Sequence, residues 1–266
     1  MKRIAVALLC ALPITLAGCS SSGGSSSSPA TAAGAGSSSA GAVTGTITVL
    51  AASSLTEAFT TIAKQVQAKY PGTTITLSFG ASSDLSTQIT QGKAADVFAS
   101  ASKKNMDAVV ASKDADPPTD FVANTLEIAV PPANPGKITK LADLAKPGVK
   151  VGVCAAEVPC GAVAAQVFSN AKLAVKPVAS LEDVKSTLAL VESGEVDAGL
   201  VYATDVRSAG TKVNGIAIPD DVNASTTYPI ATLTHAKNAP LAKAFVAYVL
   251  SADGQRVLAA DGFAKP

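Results

Sequence analysis

The sequence predicts an α/β protein made of two consecutive units, each a mostly parallel sheet flanked by helices. Short apolar segments rich in β-branched residues alternate with longer segments that carry a helical apolar face. The alternation pauses after "NTLEIAVPP" and starts again at "KVGVCA". Because alternating strands and helices favour a parallel sheet covered on both faces, we expect two such units in series.

The first unit contains the predicted strands "TITVLAA", "TITLSFG" and "DVFASA". Between them lie two predicted helices, at residues 55–70 and 84–92. Apolar residues of the first helix recur at spacings of three and four, which gives it one buried face. These residues are Leu55, Phe59, Ile62, Ala63 and Val66. Pro71 and Gly72 are expected to end this helix.

The second unit contains the predicted strands "KVGVCA" and "AGLVYA" and predicted helices at 162–171 and 181–193. The apolar face of the latter helix comprises Leu181, Val184, Leu188 and Val191, and Gly194 is expected to end it. After an irregular stretch to Gly215, one strand, "YPIATLT", and one last helix at 240–251 precede the closing "DGFAKP".

One strand and one helix are too few for a third domain, so we expect them to return and complete the first unit. This predicts lobe 1 from residues 46–124 and 221–266, and lobe 2 from residues 125–220. The chain would then cross between the lobes near Asn124 and near Asp220.

Two segments resemble each other, "QGKAADVFASAS" and "SGEVDAGLVYATD", and each places an aspartate directly before an apolar strand. Asp96 and Asp197 could be paired catalytic carboxylates, although their position suits a turn or cap role better. The echo also places Ser100, Tyr202 and Thr204 at strand ends, where open α/β sheets bind ligands.

The N-terminus has the features of a lipoprotein leader. Lys2 and Arg3 precede an apolar run over residues 4–17, which is typical of a secretory signal peptide and too short to span a membrane. The sequence "LAGC" ending at Cys19 resembles the lipobox of bacterial lipoproteins, in which the cysteine is lipidated. Residues 20–45 are almost wholly Ser, Ala, Gly and Thr, which predicts a flexible tether. The mature protein is therefore expected on the outer face of the cytoplasmic membrane.

The remaining cysteines, Cys154 and Cys160, are predicted to form a disulfide, because Cys10 leaves with the signal peptide and exported proteins meet an oxidising environment. A metal site is the alternative, but His235 is the sole histidine, and two cysteines alone rarely make a closed site. The net charge of +1 and the absence of long basic runs argue against nucleic-acid binding.

Several predicted helices start with small or hydroxyl residues. Ser54 with Glu57, and Ser180 with Asp183, have the spacing of capping boxes, and a purely structural role as caps is the commoner explanation of that spacing. The alternative is that helix starts converge on one anion site, since their free N–H groups favour negative charge. Four starts fit this hypothesis: those after Ser53-Ser54, after Ser82-Ser83, after Pro159-Cys160-Gly161, and at Asp183-Val184.

Catalytic hypotheses fit the sequence less well. Ser53 or Ser54 could be a nucleophile only with a base in reach, and His235, expected at the surface, would have to supply it. The chain contains neither a G-x-S-x-G elbow nor a P-loop. We therefore expect a binding protein without a cofactor and not an enzyme, and an exported serine hydrolase is the weaker alternative.

The motifs together resemble the molybdate-binding proteins of bacterial ABC transporters, nearly continuously from about residue 46 to the C-terminus. They are "TVLAASSLTEAF", "SFGASSDLSTQITQGKAADVFASAS", "EVPCG", "EDVKSTLALVESGEVDAGLVYATD", "YPIATLT" and "DGFAKP". The resemblance implies a two-lobed periplasmic binding protein of the second class, with the ligand between the lobes. It implies ligand contacts from the hydroxyls of Ser54, Ser82 and Tyr202 and the backbone amides of Cys160 and Val184. Cys160 departs from the small residue usual at its position.

The same resemblance implies the function and the partners. The protein would capture molybdate, and tungstate of nearly the same size, and deliver it to a membrane permease with its ATPase. Molybdenum would be present only within the oxyanion, and the protein would be a monomer. A donor-only site disfavours phosphate, whose O–H needs an acceptor. A binding protein for sulfate or another tetrahedral oxyanion is the alternative within the fold.

Overall fold

The computed structural model describes residues 43–266 and shows a curled sheet flanked by helices. The α/β prediction is thereby confirmed. The predicted signal peptide, Cys19 and most of the predicted tether lie outside the described residues.

Strands and helices alternate along most of the chain, and every strand belongs to one continuous set of pairings. The strands are β1 (Gly45–Ala52), β2 (Thr73–Gly80), β3 (Val97–Ala99), β4 (Thr119–Val130), β5 (Val151–Cys154), β6 (Ala179–Leu181), β7 (Ala198–Tyr202), β8 (Asn214–Ala217) and β9 (Ser225–Thr232). The helices are α1 (Thr56–Lys69), α2 (Ser82–Thr90), α3 (Lys103–Ala111), α4 (Pro159–Asn170), α5 (Val184–Glu192), α6 (Ala203–Ala209), α7 (Ala239–Leu250) and α8 (Ala252–Ala260). Short 3-10 turns lie at Ser53–Leu55, Leu141–Ala145 and Gly210–Lys212.

The strand order is β2-β1-β3-β9-β4-β7-β5-β6, and β8 pairs with β4 outside this path. The first three strands pair in parallel, as do β5, β6 and β7, whereas β4 and β9 run antiparallel to their neighbours. Strand β4 joins the two parts, because its residues up to Thr125 pair with β9 and those from Leu126 pair with β7.

The buried apolar residues form two large clusters that follow this division. One cluster surrounds β1 and contains Phe59, whose ring centroid lies 5.7 Å from that of Phe245 on α7. The other contains Leu188 and Val201 and covers both faces of β5 and β7. The returning strand β9 and helices α7 and α8 thus pack with the first part of the chain.

The two parts repeat one detail that the sequence echo suggested. The carboxylate of Asp96 accepts a hydrogen bond from the N–H of Thr48 at 2.8 Å, and the carboxylate of Asp197 accepts one from the N–H of Lys150 at 2.8 Å. In each case the aspartate ties the start of one central strand to its parallel neighbour. Both aspartates thus have a structural role, but it is a long-range link between strands and not the local turn or cap that the sequence predicted.

The predicted apolar face of α1 is buried at all of its positions, and Gly72, at φ +83°, follows the end of that helix. Several short elements were missed. The stretch after Tyr202 up to Gly215, predicted to be irregular, contains α6 and the start of β8, and the C-terminus has a second helix, α8. The predicted start of α5 at residue 181 is wrong, because 179–181 form the edge strand β6. Elements of three to nine residues carry too few periodic positions to be detected from pattern alone.

Candidate functional site

A small cavity lies where the carboxyl ends of β1, β2 and β7 meet several helix starts. Residues from both apolar clusters line it, including Ala52 of the first and Cys160 of the second. The lining residues are Ala52, Ser53, Ser54, Gly80, Ala81, Ser82, Ala101, Val158, Pro159, Cys160, Asp183, Val184 and Tyr202. All five residues that the family resemblance singled out therefore surround one cavity.

Four helix starts contribute residues to this cavity, in agreement with the alternative hypothesis of the sequence analysis. The 3-10 turn Ser53–Leu55 leads into α1, α2 starts at Ser82, α4 at Pro159 and α5 at Val184. The first N–H groups of a helix have no carbonyl partner within it, and the helix dipole is positive at that end. Their convergence makes the cavity attractive to an anion.

Ser54 does not act as a helix cap. Its Oγ lies 2.9 Å from Oη of Tyr228, both groups are buried, and no side chain caps the turn or α1. The capping-box interpretation of Ser54 and Glu57 is therefore wrong. A long-range contact has replaced the local one, and the hydroxyl is held at the edge of the cavity.

Ser82 occupies the first position of α2, and its side chain also has a distant partner. Its Oγ accepts a hydrogen bond from the N–H of Ala101 at 2.9 Å, and the residue is buried. The hydroxyl hydrogen of Ser82 is therefore free to point elsewhere, and the cavity lies beside it.

Tyr202 ends β7 and is 1% exposed, yet its hydroxyl has no hydrogen-bond partner among the described residues. Burial raises the pKa of Tyr202 well above its usual value, and the neighbouring Tyr228 and Asp205 add to this effect. The hydroxyl therefore keeps its proton. A buried donor without a protein partner beside a cavity is suited to hold a ligand oxygen.

Cys160 lies in the first turn of α4 and forms the predicted disulfide with Cys154 at the end of β5. The next residue must be small, because a Cβ on Gly161 would lie 1.8 Å from the carbonyl oxygen of Ala155. The disulfide and this close approach together hold the start of α4 against the strand end.

Val184 is the first residue of α5, and Asp183 caps that helix by accepting a hydrogen bond from the N–H of Ser186 at 2.8 Å. The predicted capping box of Ser180 with Asp183 is therefore wrong, since Ser180 lies in β6. Asp183 contributes the only carboxylate in the lining of the described cavity, which includes neither Lys nor Arg.

A charged cluster lies next to the cavity and connects its two sides. The Nζ of Lys185 on α5 lies 2.9 Å from both carboxylate oxygens of Glu57 on α1 and 3.1 Å from Oδ1 of the buried Asp205. Burial raises the pKa of Asp205 to about 6, against the opposing effect of Lys185. The other carboxylate oxygen of Asp205 accepts from the N–H of Tyr202 at 3.2 Å and so holds the end of β7.

The remaining candidates lie away from the cavity. Ser100 is buried and donates to the carbonyl of Ser102 at 2.7 Å, and Thr204 accepts from the side chain of Asn124 at 2.9 Å. His235 has a side chain that is 85% exposed and lies 3.9 Å from Asp114 in a separate surface pocket. The structure therefore does not bring His235 to Ser54.

Two lining or supporting residues were missed by sequence analysis, Ser53 and Tyr228. Ser53 was considered as a nucleophile and as part of a helix start but not as a ligand residue, and Tyr228 lies 174 residues from the serine that it contacts. The one available signal for Tyr228 was its place in "YPIATLT", a segment that the family resemblance already included. Within residues 43–266, no group of three potential metal-ligating side chains occurs, and no helix has the length and apolarity to cross a bilayer.

Comparison with known proteins places these features in context. The model of a family described as bacterial extracellular solute-binding protein matches residues 47–264. The molybdate-binding protein ModA of Mycobacterium tuberculosis H37Rv is 42% identical over 221 residues, which cover 83% of this chain and 85% of that protein. A Bacillus subtilis protein, YvgL, provisionally described as an ABC transporter substrate-binding lipoprotein, is 32% identical over 231 residues, covering 82% of this chain and 86% of the relative.

Among solved structures, the periplasmic molybdate-binding protein of Azotobacter vinelandii superposes with a TM-score of 0.75. The match covers 83% of this chain and 99% of that structure at 19% sequence identity. At this identity the likeness shows the fold alone, and it confirms the predicted periplasmic binding protein architecture.

Proposed function

Because this chain belongs to the bacterial extracellular solute-binding proteins, in the family of the molybdate-binding proteins, we propose that it captures molybdate, and tungstate, and delivers it to an ABC import permease. The observation that carries the proposal is the cavity. Four buried hydroxyl residues, including Ser53, and four helix starts meet there, and its lining contains neither Lys nor Arg among the described residues. Neutral donors around a small cavity suit a tetrahedral dianion that carries no proton.

Within this cavity each predicted ligand residue has a donor to contribute. Ser54, Ser82 and Tyr202 contribute hydroxyl groups, while Cys160 and Val184 contribute backbone N–H groups from the first turns of α4 and α5. Small residues dominate the lining because the backbone itself must approach the anion. Fixed neutral donors of this kind select by geometry and protonation more than by charge.

We propose that the two parts of the fold act as lobes that close on the ligand, with lobe 1 formed by residues 46–124 and 221–266 and lobe 2 by residues 125–220. The two apolar clusters support this division, because each is built almost wholly from one of these sets. Donors from both sets line the cavity, so an anion would favour the closed arrangement through its differential contacts. The contact between Lys185 and Glu57 joins the same two sets.

The proposed cellular context follows from the leader sequence and the relatives. Cleavage before Cys19 and its lipidation would anchor the protein outside the cytoplasmic membrane, with residues 20–45 as the tether. The description of the Bacillus subtilis relative as a lipoprotein supports the anchor. The partners would be a membrane permease and its ATPase, and the protein would act as a monomer without cofactor or catalytic activity.

Sulfate is the alternative ligand that the chemistry of the cavity permits, since it is also a tetrahedral dianion without a proton. Size separates the two, because a rigid ring of donors set for the larger molybdate leaves sulfate with longer hydrogen bonds. The same ring would hardly distinguish molybdate from tungstate. Phosphate is disfavoured because its O–H would face donors only.

The proposal is tested by titrating the purified protein calorimetrically with molybdate, tungstate, sulfate and phosphate. We expect tight binding of the first two and much weaker binding of the others. A thermal shift gives a second readout, because ligand at about a hundred times its dissociation constant adds roughly 2.7 kcal/mol to stability. Binding of sulfate alone would overturn the assigned ligand, and binding of none of the four would overturn the function.

Two adjacent serines provide a matched pair of variants. Ser82→Ala removes a hydroxyl that lines the cavity, whereas Ser83→Ala removes one whose nearest polar partner is Asp84 at 3.5 Å, outside the cavity. We expect roughly tenfold or greater loss of molybdate affinity for Ser82→Ala, the order of a hydrogen bond to a charged group. Ser83→Ala is expected to bind as the unmodified protein does.

A further inference from the structure

Tyr228 lies behind the cavity and does not belong to its lining. It lies on β9 and is fully buried, and its ring packs edge-on against Tyr202 and Phe263, with centroids 6.2 and 5.5 Å away. Its hydroxyl lies 2.9 Å from Oγ of Ser54, and the side chains of Asn124 and Tyr202 are close to it as well.

The direction of this hydrogen bond follows from the chemistry of the two groups. A phenol is a better hydrogen-bond donor than an alcohol, because its O–H proton is more acidic. It is also a weaker acceptor, because one lone pair of its oxygen is partly delocalised into the ring. Burial raises the pKa of Tyr228 far above its usual value, so the phenol keeps its proton. The 2.9 Å contact allows either group to donate, and the greater donor strength of the phenol favours Tyr228 as donor and Ser54 as acceptor, which leaves the hydroxyl hydrogen of Ser54 to point into the cavity.

The hydroxyl of Ser82 also accepts a hydrogen bond from the protein, here from a backbone group. Its Oγ accepts the N–H of Ala101, which leaves its own hydrogen free. A backbone N–H can only donate, so the direction of that bond is unambiguous. With Tyr228 as the donor to Ser54, each of the two serine hydroxyls receives one hydrogen bond from the protein and offers one to the cavity.

We propose that Tyr228 is a positioning residue that determines specificity: by donating to Ser54 it fixes that hydroxyl as a donor and so excludes anions that carry a proton. The inference rests on the proposed function, since it concerns the same site. Without the phenol, the Ser54 hydroxyl can turn and accept a hydrogen bond from a ligand O–H. The cavity would then tolerate hydrogen phosphate, which the intact donor ring rejects.

The test compares sulfate with hydrogen phosphate, two tetrahedral dianions of similar size that differ in one proton. Their dissociation constants are measured near pH 8 by competition against molybdate, for the unmodified protein and for Tyr228→Phe. The variant retains the ring that packs against Tyr202 and Phe263. Tyr248→Phe is the matched control, because it removes a phenol hydroxyl bonded to Gln65 at 3.0 Å, away from the cavity.

We expect the unmodified protein to prefer sulfate, and Tyr228→Phe to reduce this preference about fivefold or more, the order expected for one hydrogen bond. Sulfate binding weakens in the variant while phosphate binding holds or improves. Tyr248→Phe leaves the preference unchanged. An equal loss for both anions in Tyr228→Phe would show a merely structural role and overturn the inference, as would an unchanged preference.

A double variant shows whether Tyr228 acts through Ser54. In a Ser54→Ala background the acceptor is gone, so adding Tyr228→Phe should leave the preference for sulfate where Ser54→Ala alone puts it. A further fall in the preference would overturn the inference. Failure of the unmodified protein to bind molybdate overturns the proposed ligand instead, and direct titration with sulfate and phosphate then still tests Tyr228. Failure to bind any of the three would overturn both.

Discussion

Replacing Tyr202 with Phe removes one buried hydroxyl and leaves the ring in place. In the free protein this hydroxyl has no partner among the described residues, so its loss breaks no hydrogen bond within the protein. We therefore expect the free energy of unfolding without ligand to change by less than about 0.5 kcal/mol. In the proposed complex the same hydroxyl donates to a dianion, so its loss should weaken molybdate binding.

The size of the second effect follows from the charge of the ligand. A hydrogen bond to a charged group contributes about 1.5–3 kcal/mol, which corresponds to a loss of affinity of roughly 10- to 150-fold. Since Tyr202 is 1% exposed, solvent cannot readily replace the lost donor. Stability without ligand and affinity should therefore respond to this substitution in different ways.

The assay measures both quantities, by urea denaturation without ligand and by calorimetric titration with molybdate. Tyr248→Phe serves as the crossed control, because its hydroxyl is bonded to Gln65 and does not line the cavity. It should lose about 1 kcal/mol of stability and keep its affinity. A loss of more than about 1 kcal/mol of ligand-free stability in Tyr202→Phe, or less than threefold loss of affinity, would refute the argument.

Three further predictions concern the surroundings of the cavity. Replacing Cys154 and Cys160 by Ser removes a disulfide that closes a loop with a sequence separation of 6, and it should lower the free energy of unfolding, measured in urea, by about 2 kcal/mol. An unchanged molybdate affinity in the same variant would show that the disulfide does not organise the start of α4. Burial raises the pKa of Asp205 from 3.8 to about 6, so the folded protein holds a proton that the unfolded chain has lost, and stability should fall by roughly 3 kcal/mol as pH rises through this window. Asp205→Asn should remove that slope from urea midpoints measured between about pH 4 and 7, and an identical slope would refute the assignment. Glu57→Gln breaks the ion pair with Lys185, so we expect molybdate affinity to fall twofold to fivefold at low salt and less at high salt. Titration at the two salt concentrations measures this. A loss of affinity that is independent of salt would contradict an electrostatic contact.

The alternation of strands and helices, the apolar face of α1 and the four helix starts were predictable because each depends on residues close in the chain. The spacing of Phe59 and Val66 defines a helical face without reference to the rest of the protein. The disulfide was predictable for a different reason, since removal of the leader leaves Cys154 and Cys160 as one possible pair.

The short elements and the capping boxes show where local rules fail. Elements such as α6 and β6 depend on the strands and helices beside them, because so few residues carry little propensity of their own. Ser54 and Glu57 have a cap spacing, but their side chains found distant partners, Tyr228 and Lys185. These contacts with residues outside the helix formed in place of the hydrogen bonds of a capping box.

The sequence by itself determined that small hydroxyl residues stand at the starts of several helices, and it determined which strands precede them. Only the tertiary structure decided that these starts face one cavity, that the N–H of Ala101 donates to Ser82, and that the hydroxyl of Tyr228 lies within hydrogen-bond distance of Ser54. Strand and helix propensities act over a few residues, whereas the direction of a hydroxyl is set by whichever group packs against it. Tyr228 lies 174 residues from Ser54 along the chain, and Ala101 lies 19 residues from Ser82. No local sequence pattern encodes contacts over such separations.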